Sequence, residues 1–160
     1  MKKFNEIAEF AKELMAESEL QNILNLIAKE AKKLLSADRC SVFLVDKDDA
    51  ILSSMHSDGI GRIVVSLDAG IVGETYKSAQ PQVVNAPYED KRFLQNIDTK
   101  SGYKTQNIIT VPIFNSKREV MGIMQLLNKS RGDFNAEDLE TLTFFANYIS
   151  GTLELSLMHQ

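Results

Sequence analysis

Apolar residues recur along this chain with a helical period at both ends and a strand period between. In residues 2–17, Phe4, Ile7, Ala8, Ala11, Leu14 and Met15 fall on one face, with Lys and Glu opposite, which predicts an amphipathic helix. An isolated helix of this length is marginal in water. It is therefore expected to pack on the domain or on a second copy of itself. Ser18-Glu19-Leu20-Gln21 reads as a capping box that starts a second helix. There Leu20, Ile23, Leu24, Ile27, Ala28, Ala31, Leu34 and Leu35 hold a strict i, i+3, i+4, i+7 stripe. The last helix starts at Asn135, an N-cap residue, and runs to Leu157. Its seam is Leu139, Leu142, Ala146, Ile149 and Leu153. Phe145, Tyr148, Thr152 and Leu155 widen that seam beyond one sheet contact, the pattern of an interface.

Strands fill the middle. Residues 39–47, 50–56 and 62–67 read as three strands joined by polar turns. Asp68-Ala69-Gly70 leads into a short helix over residues 71–77. Its free N–H groups suit an anion, unless Asp68 caps them. Residues 80–85 are extended. The long polar stretch after them, with a weak helical pattern at Phe93, Leu94 and Ile97, suits a lid. A polar cluster follows: Asp98, Ser101, Gly102, Thr105, Gln106 and Asn107. Two apolar runs, I-I-T-V-P-I-F and V-M-G-I-M-Q-L-L-N-K, flank a charged turn as an antiparallel hairpin covered on both faces. The order of elements predicts an α/β (α+β) sandwich with a mostly antiparallel sheet between helical layers.

Composition narrows the function. The chain has 160 residues, 44% hydrophobic and 25% charged, enough for one domain with a full core. A net charge of −4 with interspersed signs argues against nucleic-acid binding. One cysteine, Cys40, excludes an internal disulfide and a cysteine-based metal cluster. No apolar run approaches the ~20 residues of a membrane helix, so the chain is expected to be cytoplasmic, without membrane contact. The Asp46–Asp49 turn lacks the glycine and terminal acid of a calcium loop.

The segments C-S-V-F-L-V-D, A-G-I-V-G-E, N-A-P-Y-E-D-K-R-F, D-T-K-S-G-Y-K-T-Q-N-I-I-T-V-P-I-F, V-M-G-I-M-Q-L-L-N-K and F-N-A-E-D-L together resemble a GAF domain. They are most similar to the cyclic-nucleotide-binding GAF domains of phosphodiesterases and bacterial adenylyl cyclases. The resemblance implies a GAF/PAS-like sheet of about six antiparallel strands, helices on both sides and a buried pocket roofed by short helices. It divides the chain into a connecting or dimerising helix over residues 1–18 and a GAF domain over 19–157. By position, it implies that Ser41 and Asp58 face a purine base, and that backbone N–H groups of Ile71 and Val72 hold a cyclic phosphate. It places Asp98, Ser101 and Thr105 along base and ribose. It also implies a lid-securing salt bridge between Lys129 and Asp138, read otherwise as a solvated Lys and a capping Asp. Three positions depart from the pattern: Ser57 replaces a stacking aromatic, Gln125 an acid facing the ligand, and Leu139 a Glu. Base stacking on an aromatic contributes ~1–3 kcal/mol.

The function implied is a regulatory sensor without catalysis, needing no cofactor and binding cyclic AMP or cyclic GMP. It is expected to form a homodimer through the terminal helices and to govern an output domain in a larger protein. The alternative is a dimerisation module with a degenerate pocket or another small-molecule ligand. Methionine sulfoxide reduction, known in the family, needs several cysteines, and only Cys40 is present. Bilin and haem sensing need a placed cysteine or an axial ligand.

Overall fold

The computed structural model describes residues 2–17, 19–58 and 61–158. Six strands form one sheet: β1 (Ala37–Asp46), β2 (Ile51–Ser57), β3 (Val64–Ser66), β4 (Gln82–Val84), β5 (Ile108–Phe114) and β6 (Val120–Lys129). Their order is β3-β2-β1-β6-β5-β4, and every neighbouring pair is antiparallel. The helices are α1 (Lys2–Met15), α2 (Leu20–Leu35), α3 (Gly70–Ser78), α4 (Gln95–Ser101) and α5 (Ala136–Met158). A 3-10 turn spans Pro87–Glu89.

Alternation along the central strands sorts side chains onto two faces. Cys40, Val42, Met124 and Leu126, with Ile109, Val111 and Ile113, join Ile23, Leu24 and Ile27 of α2 and Leu142, Phe145 and Ile149 of α5 in one core. The opposite face carries two smaller apolar clusters. Phe43 and Ile123 meet Val72 of α3, and Ile108 meets Ile71 and Val84. The expected sandwich is thus present, with α1, α2 and α5 on one side of the sheet and α3 and α4 on the other.

Several local expectations shift. On α1 the buried residues are Ile7, Phe10 and Leu14, while Ala8 is exposed and Met15 is 86% exposed. The helix turns to bring Phe10 against Phe145, with ring centroids 5.4 Å apart. The capping box at Ser18 and the Phe4 side chain lie outside the described residues. On α5, Phe145 belongs to the core, whereas Tyr148 and Leu155 point outward. The weak helical pattern in the lid resolves into the 3-10 turn and α4, so Asp98 and Ser101 sit on a helix. Among the described residues, no helix is long and apolar enough to cross a membrane.

Candidate functional site

Sheet register builds the floor of a chamber under α3 and α4. Ser57, Ser41, Gln125 and Thr110 are successive partners across β2, β1, β6 and β5, a polar row that crosses four strands. The Ser41 and Ser57 hydroxyls share a hydrogen bond of 2.9 Å. Thr110 bonds Thr75 of α3 at 2.6 Å, and Thr75 Oγ1 also donates to the Ile71 carbonyl at 2.9 Å. This pair fixes α3 over the floor.

The N-terminus of α3 opens onto the chamber, where Gly70, Ile71 and Val72 line the wall. The N-cap is Ala69, which offers no side-chain cap. Asp68 does not cap the helix, because its carboxylate accepts the Ser66 hydroxyl at 2.5 Å. First-turn N–H groups of a helix have no intrahelical acceptor, and Ile71 and Val72 of that turn both line the cavity. Two glycines let the chain pack closely here. Gly70 has φ +72 and lies beneath Leu94 of the lid, and a Cβ on Gly73 would come within 2.6 Å of the Asp68 backbone.

Residues 86–106 form the lid. Phe93, Leu94 and Ile97 give its apolar underside. Asp98 turns inward and is buried. Its carboxylate accepts the Tyr88 hydroxyl at 2.5 Å, the Thr105 N–H at 2.7 Å and Thr105 Oγ1 at 2.8 Å. This clasp joins the 3-10 turn, α4 and the strand approach, and the hydrogen bond to Asp98 pushes the Tyr88 hydroxyl up from its ordinary pKa. Arg92 grips Asp90 through Nε and Nη2 and reaches Gln82 of β4 through Nη1. Ser101 lies outside the chamber walls and is exposed. The last turn of α4 carries it away, and its hydroxyl accepts the Tyr103 N–H at 3.3 Å.

At the opposite wall, Asp58 lines the chamber but spends its carboxylate within the protein. It accepts Lys32 Nζ of α2 at 2.8 Å and the Cys40 N–H at 3.0 Å, and its Oδ1 lies 3.0 Å from His56 Nε2. Burial raises the Asp58 carboxyl, and the bonds from Lys32, Cys40 and His56 outweigh it, holding the group below its ordinary range. Arg39 also lines this wall. Its guanidinium sits 3.7 Å from the centroid of the Tyr103 ring, and its Nη1 is buried without a hydrogen-bond partner among the described residues. The Tyr103 hydroxyl donates to Asp38 at 2.6 Å. Sequence reading passed over Arg39. The available signal is a cation directly before the apolar run C-S-V-F-L-V of the first strand.

Lys129 and Asp138 stand apart from the chamber, where β6 hands over to α5. Lys129 Nζ lies 2.6 Å from Asp138 Oδ2. Asp138 also accepts the Asn135 N–H, and Asn135 accepts the Asp138 N–H. Asn135 therefore caps the helix, while Asp138 closes the capping box and pairs the lysine at once. The enclosed space of the chamber is about 60 Å³, room for a few waters. Its donors without protein partners, apolar roof and polar floor suit a flat ligand that carries an anion.

Comparison with known proteins agrees with this geometry. The chain is 32% identical over 132 residues to a probable 3',5'-cyclic phosphodiesterase pde-5 of Caenorhabditis elegans, covering 74% of this chain and 18% of that protein. It is 34% identical over 165 residues to a dual 3',5'-cyclic-AMP and -GMP phosphodiesterase 11A of Takifugu rubripes, covering 88% of this chain and 17% of that one. The chain thus spans under a fifth of these relatives. The GAF domain of an Acinetobacter phosphoenolpyruvate-protein phosphotransferase superposes with a TM-score of 0.83 at 19% identity, over 99% of this chain and 96% of that one. A sequence profile described as GAF domain matches residues 19–153, so this chain belongs to the GAF domain family, as a regulatory domain of that kind.

Proposed function

We propose that this domain senses a cyclic purine nucleotide, cyclic AMP or cyclic GMP, in the lidded chamber. The observation that carries the reading is the pair of unmet donor sets facing one cavity: the uncapped start of α3 and the buried Nη1 of Arg39. The Ile71 and Val72 N–H groups receive the cyclic phosphate, favoured by the positive end of the helix. Arg39 supplies an N–H to a ring acceptor of the base. Ser41, Gln125 and Thr105 offer polar contacts below the ring, and hydroxyls there both donate and accept. Asp58 and Asp98 act through their neighbours, since their carboxylates are already committed. The two phosphodiesterase relatives, named for cyclic nucleotides, support this choice.

Ligand pockets commonly measure ~300–1,000 Å³, several times the enclosed volume here. Binding therefore requires the lid to lift and reclose, and that movement is the signal. It reaches an output domain elsewhere in a longer protein through the terminal helices, with α1 as connector. Two copies pair along α5, where Tyr148, Leu155 and Met158 are exposed at heptad spacing around Gly151, whose open side admits a close neighbour. The setting is the cytoplasm. The Lys129–Asp138 pair steadies the lid from its base.

A second reading is favoured by the small cavity and the committed carboxylates: a pairing module whose chamber stays closed. Thermal melting separates the two. Cyclic AMP or cyclic GMP at 100 times its dissociation constant should add about 2.7 kcal/mol of stability, and Arg39→Met should reduce the shift. No shift with either nucleotide at millimolar concentration leaves the pairing module.

A further inference from the structure

Asn85 and Asn107 flank the lid on either side, and both asparagines hold the segment that joins β6 to α5. Asn85 Nδ2 donates to the Phe134 carbonyl at 3.2 Å, and Asn85 Oδ1 accepts the Phe134 N–H at 3.0 Å. Asn107 Nδ2 donates to the Gly132 carbonyl at 3.2 Å, and Asn107 Oδ1 accepts the Lys129 N–H at 2.8 Å. Each side-chain amide thus stands in for a peptide group: Asn85 holds Phe134 in the segment that joins β6 to α5, and Asn107 bridges Lys129, the last residue of β6, to Gly132 in that segment. The loop they grip leads directly into α5. Phe134 is buried in the core with Leu142 and Phe145, and Lys129 pairs with Asp138 in the first turn of α5.

We infer that Asn85 and Asn107 form a paired hinge clamp that couples lid position to the start of α5. The inference rests on the sensing role of the chamber for its biological use, while the clamp itself is read from this geometry. Lifting the lid swings residues 86–106 about its two ends. Both ends pull on backbone groups of one loop, and that loop is the lead-in to the helix proposed as output. Coupling through a packed, hydrogen-bonded path of this kind is a free energy that two perturbations reveal together. A merely structural role for the asparagines would lower overall stability without changing how lid and loop respond to each other.

The test is amide hydrogen exchange by mass spectrometry on the intact chain. Tyr88→Phe removes one bond from the Asp98 clasp and loosens the lid without any ligand. In the otherwise unaltered protein it should speed exchange in peptides from the lid and also in peptides covering residues 129–140. In an Asn85→Ala background, Tyr88→Phe should speed the lid alone, with the response of residues 129–140 reduced roughly 5-fold or more. Asn85 is exposed, so this variant should fold. Asn107 is buried, so Asn107→Asp, which keeps the acceptor for Lys129 and loses the donor to Gly132, serves as the second background. If residues 129–140 follow the lid equally well in both backgrounds, or never follow it at all, the clamp is overturned. Adding cyclic AMP and cyclic GMP to the same samples tests the other reading separately. If neither slows any peptide, nucleotide sensing fails, while the Tyr88→Phe series still decides the clamp.

Discussion

The two faces of the sheet are built from the same strands and differ in nearly every other respect. The face under α1, α2 and α5 is one continuous apolar core, with Leu24, Ile27, Phe145 and Ile149 fully buried. The face under α3 and the lid has two small clusters, a polar row, an unpaired arginine N–H and a cavity. Unsatisfied buried donors and voids both cost stability. The helix-covered face carries that cost, which leaves the lid face free to be shaped for a ligand. Substitutions on one face should therefore unfold the protein, and those on the other should change binding.

The largest effect belongs to the core. Phe145→Ala should lose about 3–5 kcal/mol by urea denaturation, a large part of the ~5–15 kcal/mol a domain has. Next comes the Asp58 cluster, where the faces meet. Asp58→Asn should lose roughly 1–3 kcal/mol at neutral pH, leaving Lys32 without its counter-charge. The pH dependence has a definite sign. The folded carboxyl lies below its unfolded value, so its contribution is present above that value and is lost as pH falls through the folded pKa. The asparagine variant should lack that part of the acid limb.

On the lid face, Arg39→Met should change stability by less than about 1 kcal/mol, while weakening nucleotide affinity in calorimetry. Equal damage to folding would erase the contrast between the faces. The smallest effect lies at the α1–α2 contact. Glu30 Oε2 is buried without a hydrogen-bond partner among the described residues, and burial first, then Glu6 and Glu13, raise its pKa against the pull of Lys33 and Lys29. A raised carboxyl costs stability as pH climbs from the unfolded value through the folded one. Glu30→Gln should therefore gain a few tenths of a kcal/mol at neutral pH and nothing in acid. A loss at neutral pH would mean that the charge is used.

The core-facing architecture was legible because it is periodic. The α2 stripe from Leu20 to Leu35 is buried throughout, and the paired runs around the 115–119 turn are β5 and β6. The face of α1 was misjudged because Ala8 and Phe10 both fit a helical stripe, and only contact with Phe145 chooses between them. Site residues are harder to read because register and hydrogen bonding place them. That Ser57, Ser41, Gln125 and Thr110 share one row depends on four strands coming together. That Asp58 is engaged with the protein depends on Lys32, remote in sequence, and Asp98 and Thr105, both read as facing a ligand, instead bond each other. Ser101 looked like part of the polar cluster until α4 turned it outward.

The central claim is that the start of α3 and Arg39 receive one ligand in the lidded chamber. Amide chemical shifts of Ile71 and Val72, followed by NMR during titration with cyclic AMP and then cyclic GMP, test it most directly. The account predicts that one nucleotide moves both resonances strongly and saturably, and that Arg39→Met weakens the same titration. Resonances of Ile71 and Val72 that stay fixed at millimolar concentrations of both would contradict it.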